Sequence, residues 1–526
     1  MQTLTTAGAE TTPAEREPAY PGVLYPGPAP DEMQEDPDYF HDLHLDDVVA
    51  AVTSGREGYR LAPFLRARCP DTATIAYRQE VFRDLEDAAT EAAVRAFAAG
   101  MDRTRACLAR LDKRHYVQEG RWWFLRAGLA YCGAVAGLRD GLASRPLRSA
   151  ALLGLRDVLR DYAASAAFEG LARDARAVDD GLAAVRYRLR IAGPKIAVSR
   201  PAPDEPDYGA EVLATFERFR QGDGREYRFD FTEVPDLNHV EAAVADRVAR
   251  LYPREFGALA AFAEGHAAFA DGRVERFDRE VQLYLGYADH MARVRRAGGD
   301  FCYPDVADGG GEVLAESTFD LVLAARLAAA GRRVVVNDLA LRPPERMLVI
   351  TGPNQGGKTT LARTVGQLHH LAALGFPVPG RRVRVPLVDG IHVLFEREEA
   401  VEDLVSKLED DLRRMRTILG RITDRSLVVM NETFSSTTVG DQSFINRRVL
   451  EAVGAVGAWC VTVTFLDELA ALTPATVSMV STVEPDEPAR RTFRIVRRPA
   501  DGLAYAAAIA EQHRLTYGQV VARARR

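Results

Sequence analysis

The chain has 526 residues, 47% hydrophobic and 27% charged content, a formal charge of −7 and five scattered cysteines. Such length and apolar content build several domains or one elongated architecture, which excludes a disordered chain. The acidity argues against a uniformly basic nucleic-acid binder. Cys69, Cys107, Cys132, Cys302 and Cys460 form no C-x-x-C pair, which argues against a zinc site or a disulfide framework. No apolar run reaches membrane-spanning length and the start lacks a signal pattern, so a soluble protein of the reducing cytoplasm with no membrane partner is expected.

Residues 1–40 are rich in Pro, Glu, Ala and Thr and read as a disordered leader. Helical spacing begins at Leu45, Val48, Val49 and Val52 and resumes at Ile75, Val81 and Leu85. It continues through 94–111, 122–142, 152–162 and 168–185. Trp122 and Trp123 sit inside an apolar helical run, which favours a core role over a base-stacking platform. Tyr187–Ile191, then Gly193-Pro194, then Ile196–Val198 read as strand, turn and strand. Residues 186–235 are therefore expected to be an insertion whose Arg186, Arg188, Arg190 and Arg200 touch phosphates or face solvent. Helices return near His239 and run to about Arg296; His239, His266 and His290 lack partners at metal-ligand spacing.

After Gly298 short apolar strands alternate with helices, an α/β signature. Expected strands are Val334–Val336, Leu348–Ile350, Ile391–Phe395, Leu427–Met430, Val461–Val463, Val477–Val480 and Phe493–Val496. The chain ends in a helix carrying Arg523, Arg525 and Arg526.

The chemistry concentrates in Met347–Thr360, MLVITGPNQGGKTT. A buried strand is followed by Gly352, Pro353, Asn354, Gln355, Gly356, Gly357, Lys358 and Thr359, matching G-x-x-x-x-G-K-[ST], with Thr360 continuing into a helix. Backbone N–H groups of such a loop, with the helix N-terminus, close around phosphate oxygens. Lys358 would reach the β- and γ-phosphates and Thr359 would coordinate Mg²⁺. Downstream, Ser426–Glu432 is an apolar strand ending in polar residues, as a Walker B element is. The metal-side position is an amide, Asn431, while Glu432 remains to position or deprotonate water. An amide adds no charge, so metal affinity should suffer.

TGPNQGGKTT closely resembles the TGPNMGGKST signature of the MutS family of DNA mismatch-repair ATPases. Asn337–Pro343 with Arg346-Met347 is similar to that family's lead-in, and Thr417–Glu432 to its Walker B approach. Thr437 and Asp441 match the Thr and Asp of its G-R-G-T-S-T-Y-D-G segment, where Phe434, Ser435 and Ser436 differ. The A-T-H segment corresponds to Val463-Thr464-Phe465, so Phe465 replaces the γ-phosphate-sensing histidine. Ser406 falls on the signature serine that reaches the nucleotide of the opposing subunit, and Ile75–Val81 resembles the start of the family's helical core.

The resemblance implies an ABC-ATPase-like α/β P-loop NTPase domain over 301–526. Before it would come a mostly α-helical core and lever domain over 41–300, with a β-containing clamp-like insertion at 186–235. It looks like a short member without the mismatch-binding and connector domains. ATP and Mg²⁺ are the implied cofactors, DNA the implied partner, read by structure more than by mismatch, and a homodimer the implied state. The expected function is a MutS-like DNA-repair or recombination protein whose ATP binding and slow hydrolysis control dimer engagement around DNA. The alternative is a nucleotide-gated protein scaffold with weak or no ATPase and no DNA role.

Overall fold

A computed structural model of the chain describes residues 20–111, 116–193, 195–202, 237–396, 407–484, 487–500 and 517–524. They fall into two units, Ala88–Pro146 with Arg156–Glu275, and Met1–Asp87 with Leu147–Leu155 and Arg276–Arg526. The expected boundary near residue 300 is therefore not where the chain divides. The first helices and all but the first turn of the Gly272–Arg295 helix belong with the α/β unit. Two of the four divisions, at 155/156 and 275/276, fall inside helices, where periodicity carries no sign of them.

The first unit is helical: Ala88–Ala109, Val117–Ala143, Ala166–Ala183, His239–Leu251 and Pro253–Gly265. Ser165 caps one helix through Phe168 N, and Asn238 with Glu241 forms a capping box on another. Inside, the Tyr131 hydroxyl meets the Tyr162 hydroxyl at 3.1 Å and accepts from Asp271 N at 2.9 Å, so no buried hydroxyl of this trio lacks a partner. Trp123 is buried, with the Arg110 guanidinium 4.1 Å above its ring. Between these helices β1 (Arg188–Ala192) and β2 (Lys195–Ser199) form an antiparallel hairpin. The side chain of Ile191 is 71% exposed, so the hairpin buries no core of its own. Residues 203–235 of the expected insertion lie outside the described residues.

In the α/β unit β3 (Phe301–Cys302) pairs with β8 (Val378–Pro379). A four-stranded sheet runs β4 (Asp305–Ala307), β9 (Arg382–Pro386), β5 (Val313–Thr318), β6 (Asn337–Leu341). The main sheet has the order β10 (Ile391–Phe395), β11 (Leu427–Asn431), β12 (Trp459–Val463), β7 (Met347–Thr351), β13 (Thr476–Glu484), β14 (Glu487–Arg497). All its pairings are parallel except that of the edge strand β14. Leu348, Val349 and Ile350 are fully buried in the middle of this sheet, each side chain contributing about 1.5–3 kcal/mol. Met415, Ile418, Leu450 and Val453 from the helices Lys407–Leu419 and Val439–Val456 cover one face over Val349, Val428 and Met430.

Two expectations are corrected. Val334–Val336 is not a strand; pairing begins at Asn337, opposite Thr318, and Val334 N instead donates to Ala297 O. Nor do residues 20–25 and 39–40 belong to a solvated leader, although most of 26–38 is exposed. Tyr20, Val23, Leu24 and Tyr25 are buried. Glu280 accepts from Val23 N at 2.6 Å, Tyr284 donates to Val23 O at 2.5 Å, and Tyr77 to Gly22 O at 2.7 Å. The fully buried Arg78 donates to Leu24 O and Leu374 O. Both polar groups of Val23 and of Leu24, with the Gly22 carbonyl, have found side-chain partners, so this part of the strap can be buried without a sheet. Burial pushes the Glu280 carboxyl above its ordinary range, against the two N–H groups it holds.

Candidate functional site

Five parallel strands end on one edge of the main sheet, where open α/β sheets bind ligands. Gly352–Gly357 follows β7, Glu396 follows β10, Glu432 follows β11, and Thr464-Phe465 follows β12. Gly352 and Gly357 have φ of +107° and +90°, conformations that a side chain would strain. At Gly356 the constraint is space: a Cβ would lie 2.0 Å from Ser481 Oγ, which donates to Gly356 O at 3.0 Å. On the other side of the loop Arg491 Nε donates to Asn354 O at 3.0 Å. The loop is thus pinned against β13 and β14, with the N-terminus of the Lys358–Ala373 helix opening from it. The free N–H groups of that first turn carry the positive end of the helix dipole.

Lys358 is buried, its Nζ donating to Gly352 O at 2.9 Å, Pro353 O at 3.2 Å and Asn354 Oδ1 at 3.3 Å. Burial lowers its pKa to about 8, while the nearby Glu432 carboxylate pulls it back up. The Phe465 ring covers the ammonium at 4.3 Å. Thr359 Oγ1 donates to Asn431 Oδ1 at 2.8 Å, so these two expected metal-side residues meet as a pair of neutral oxygens. Glu432 sits at φ +51°, its carboxyl raised by burial, opposed by Lys358 and raised further by Glu396.

The expected residues from Gly352 to Thr360, with Asn431, Glu432 and Phe465, are therefore brought to one sheet edge; Ser406 lies outside the described residues. Thr437 and Asp441 do different work: Asp441 accepts from Thr438 and Thr437 at the start of the Val439–Val456 helix. Among the described residues no three acidic, His or Cys side chains gather as a metal cluster, and His266 is paired with Asp174.

Sequence reasoning missed two features. Glu396 adds a second carboxylate at the strand ends, paired with Lys407 and accepting from Ser435 Oγ at 2.9 Å; its signal was its place one residue after an apolar strand. Beside the helix's first turn lies a cavity of about 240 Å³ walled by Leu323, Leu327, Val335, Thr360 and Phe493. Phe493, at φ +58°, is held by Asn337, which donates to Phe493 O at 3.2 Å and accepts from Ile495 N at 2.7 Å. Phe301 and Tyr303 are engaged elsewhere, on Phe319 and Glu86. A larger cavity, about 360 Å³, lies in the helical unit between Trp122, Trp123, Phe256 and Leu259.

Residues 348–524 match the sequence model of MutS domain V. The chain is 30% identical over 276 residues to the DNA mismatch repair protein MutS of Granulibacter bethesdensis, an alignment covering 51% of this chain and 28% of that protein. It is 33% identical over 200 residues to the DNA mismatch repair protein MutS of Zymomonas mobilis, covering 37% and 22%. Against the Endonuclease MutS2 of Gemmatimonas aurantiaca it is 31% identical over 144 residues, covering 27% and 18%. The chain thus covers less than a third of the length of each of these relatives. No helix among the described residues is long and apolar enough to cross a membrane.

Proposed function

We propose that this chain, which belongs to the MutS family through its domain V, is a P-loop ATPase that binds ATP with Mg²⁺ at the glycine loop, hydrolyses it slowly, and uses the bound state to engage DNA as a homodimer. The observation that carries the reading is the loop itself: Gly352–Gly357, with glycines where a side chain would clash or strain, pinned at the head of a helix with Lys358 and the Thr359–Asn431 pair beside it.

Loop N–H groups and Lys358 would hold the phosphates. Thr359 Oγ1 and Asn431 Oδ1 fit a hard cation as oxygen donors, and the missing charge would have to come from the nucleotide itself. Mg²⁺, when bound, supplies charge neutralisation at the phosphates. Glu432, with its pKa raised, suits the task of orienting water and taking its proton. In the cavity beside the helix's first turn, the apolar walls Leu323, Val335 and Phe493 offer a shelf for the base. Ser406 of a second copy would complete the site, as the family resemblance implies. The helical unit, with Arg188, Arg190 and Lys195 on its exposed hairpin, supplies the candidate DNA contact.

A second reading, a nucleotide-gated scaffold with little hydrolysis and no DNA role, is favoured by the neutral Asn431 and by Phe465. Affinity for duplex, branched and single-stranded DNA, measured across a salt series with and without ATP, separates the two. Phosphate contacts give a steep loss of affinity with salt; no DNA binding at low salt leaves the scaffold.

A further inference from the structure

We propose that Phe465 is a lid on Lys358, holding the nucleotide-free loop shut so that an incoming phosphate has to displace the ring; the proposal rests on the nucleotide reading of this loop. The three hydrogens of the ammonium are spent on Gly352 O, Pro353 O and Asn354 Oδ1, all within the loop. The remaining approach is covered by the Phe465 ring at 4.3 Å. An aromatic face attracts a cation and repels a phosphate oxygen, so the same ring that steadies the empty lysine opposes its ligand.

The lid is built to move. Phe465 is 50% exposed, while the residues before it are fixed: Thr464 N donates to Ile350 O at 3.1 Å and Val463 O accepts from Glu432 N at 2.9 Å. The ring therefore swings on a backbone tied to β7 and β11, and a rotamer change suffices to uncover Nζ. That tie also places the ring one residue beyond the peptide that holds Glu432.

The test uses the full chain, whose only lysines are Lys113, Lys195, Lys358 and Lys407. Nucleotide-free protein is acylated with an amine-reactive ester and the modified peptides are quantified by mass spectrometry. In parallel, wild type, Phe465→Ala and Phe465→Leu are titrated with a fluorescent ATP analogue. Expected are slow acylation of Lys358 in wild type and fast acylation in Phe465→Ala, with Lys195 unchanged. Nucleotide affinity should rise in both variants by on the order of two- to thirtyfold, the factor a cation–ring contact contributes. Leucine keeps the cover and drops the electron-rich ring face, so its lysine stays slow to acylate. Unchanged acylation in Phe465→Ala, or unchanged or weaker affinity in both variants, overturns the lid. Wild type that binds no nucleotide overturns the reading of the site instead, and the acylation rates still say whether the ring covers Lys358.

Discussion

Gly356→Ala tests whether the loop is clamped on β13 in the way described. The added methyl would lie 2.0 Å from Ser481 Oγ and 3.0 Å from Pro353 O, so the serine has to turn away. Overpacking of a tight site costs about 1–3 kcal/mol, and losing the Ser481 bond to Gly356 O a further ~1 kcal/mol. The expected destabilisation of the α/β unit is therefore about 2–4 kcal/mol. Ser481→Ala alone loses only the bond, about 1 kcal/mol. Combined, the new methyl faces Ser481's own Cβ position at 3.1 Å, a contact that a small shift relieves. The double variant should then be more stable than Gly356→Ala, with a coupling on the order of 1–2 kcal/mol, as expected for residues in contact. Urea unfolding followed by Trp459 fluorescence, with Trp122 and Trp123 replaced by Phe, isolates the β12 signal from the helical unit. A Gly356→Ala midpoint equal to wild type, or strictly additive effects, would refute the clamp.

Lys358→Ala should abolish tight binding of a fluorescent ATP analogue while leaving the urea midpoint near wild type. In wild type, Lys358 loses its proton near pH 8 and a bound phosphate restores it. Affinity should therefore fall from pH 8 upward by as much as about tenfold per unit, and the alanine variant should show no such slope. Stability moves the other way: above about pH 8 the unfolded chain holds the proton that the folded one has lost, so unfolding free energy rises with pH up to the lysine's ordinary value. Asn431→Asp with Phe465→His should raise single-turnover hydrolysis, each restored contact being worth on the order of one to two decades. Glu432→Gln should remove the residual turnover; an unchanged rate in either variant counts against the roles assigned.

The glycine loop was legible because strand, loop and helix are consecutive, so chemistry and context are spelled out within fourteen residues. Asn431 and Glu432 were legible for the same reason, as polar residues closing a buried strand. Phe493 was not, because what makes it a cavity wall is Asn337, far away in sequence, and a left-handed backbone that no local pattern announces. Val334–Val336 has the composition of a strand, yet its pairing starts at Asn337, where Thr318 of β5 is available; propensity yielded to partner geometry. The strap at Tyr20–Tyr25 was invisible for a related reason. Its apolar residues sit among prolines and glycines with no period, and each of its partners is remote.

That remoteness orders the making of the protein. Val23 and the carboxylate that receives it are separated by 257 positions. At 5–20 residues per second, Val23 is added to the chain roughly 13–50 s before Glu280. The helical unit lies between Asp87 and Arg276 and is translated whole in that interval, while the sheet unit cannot close. Until then Val23, Leu24 and their unpaired amides are open to whatever binds nascent apolar chain. The second half of the message therefore decides whether a strap translated long before it is ever sheltered.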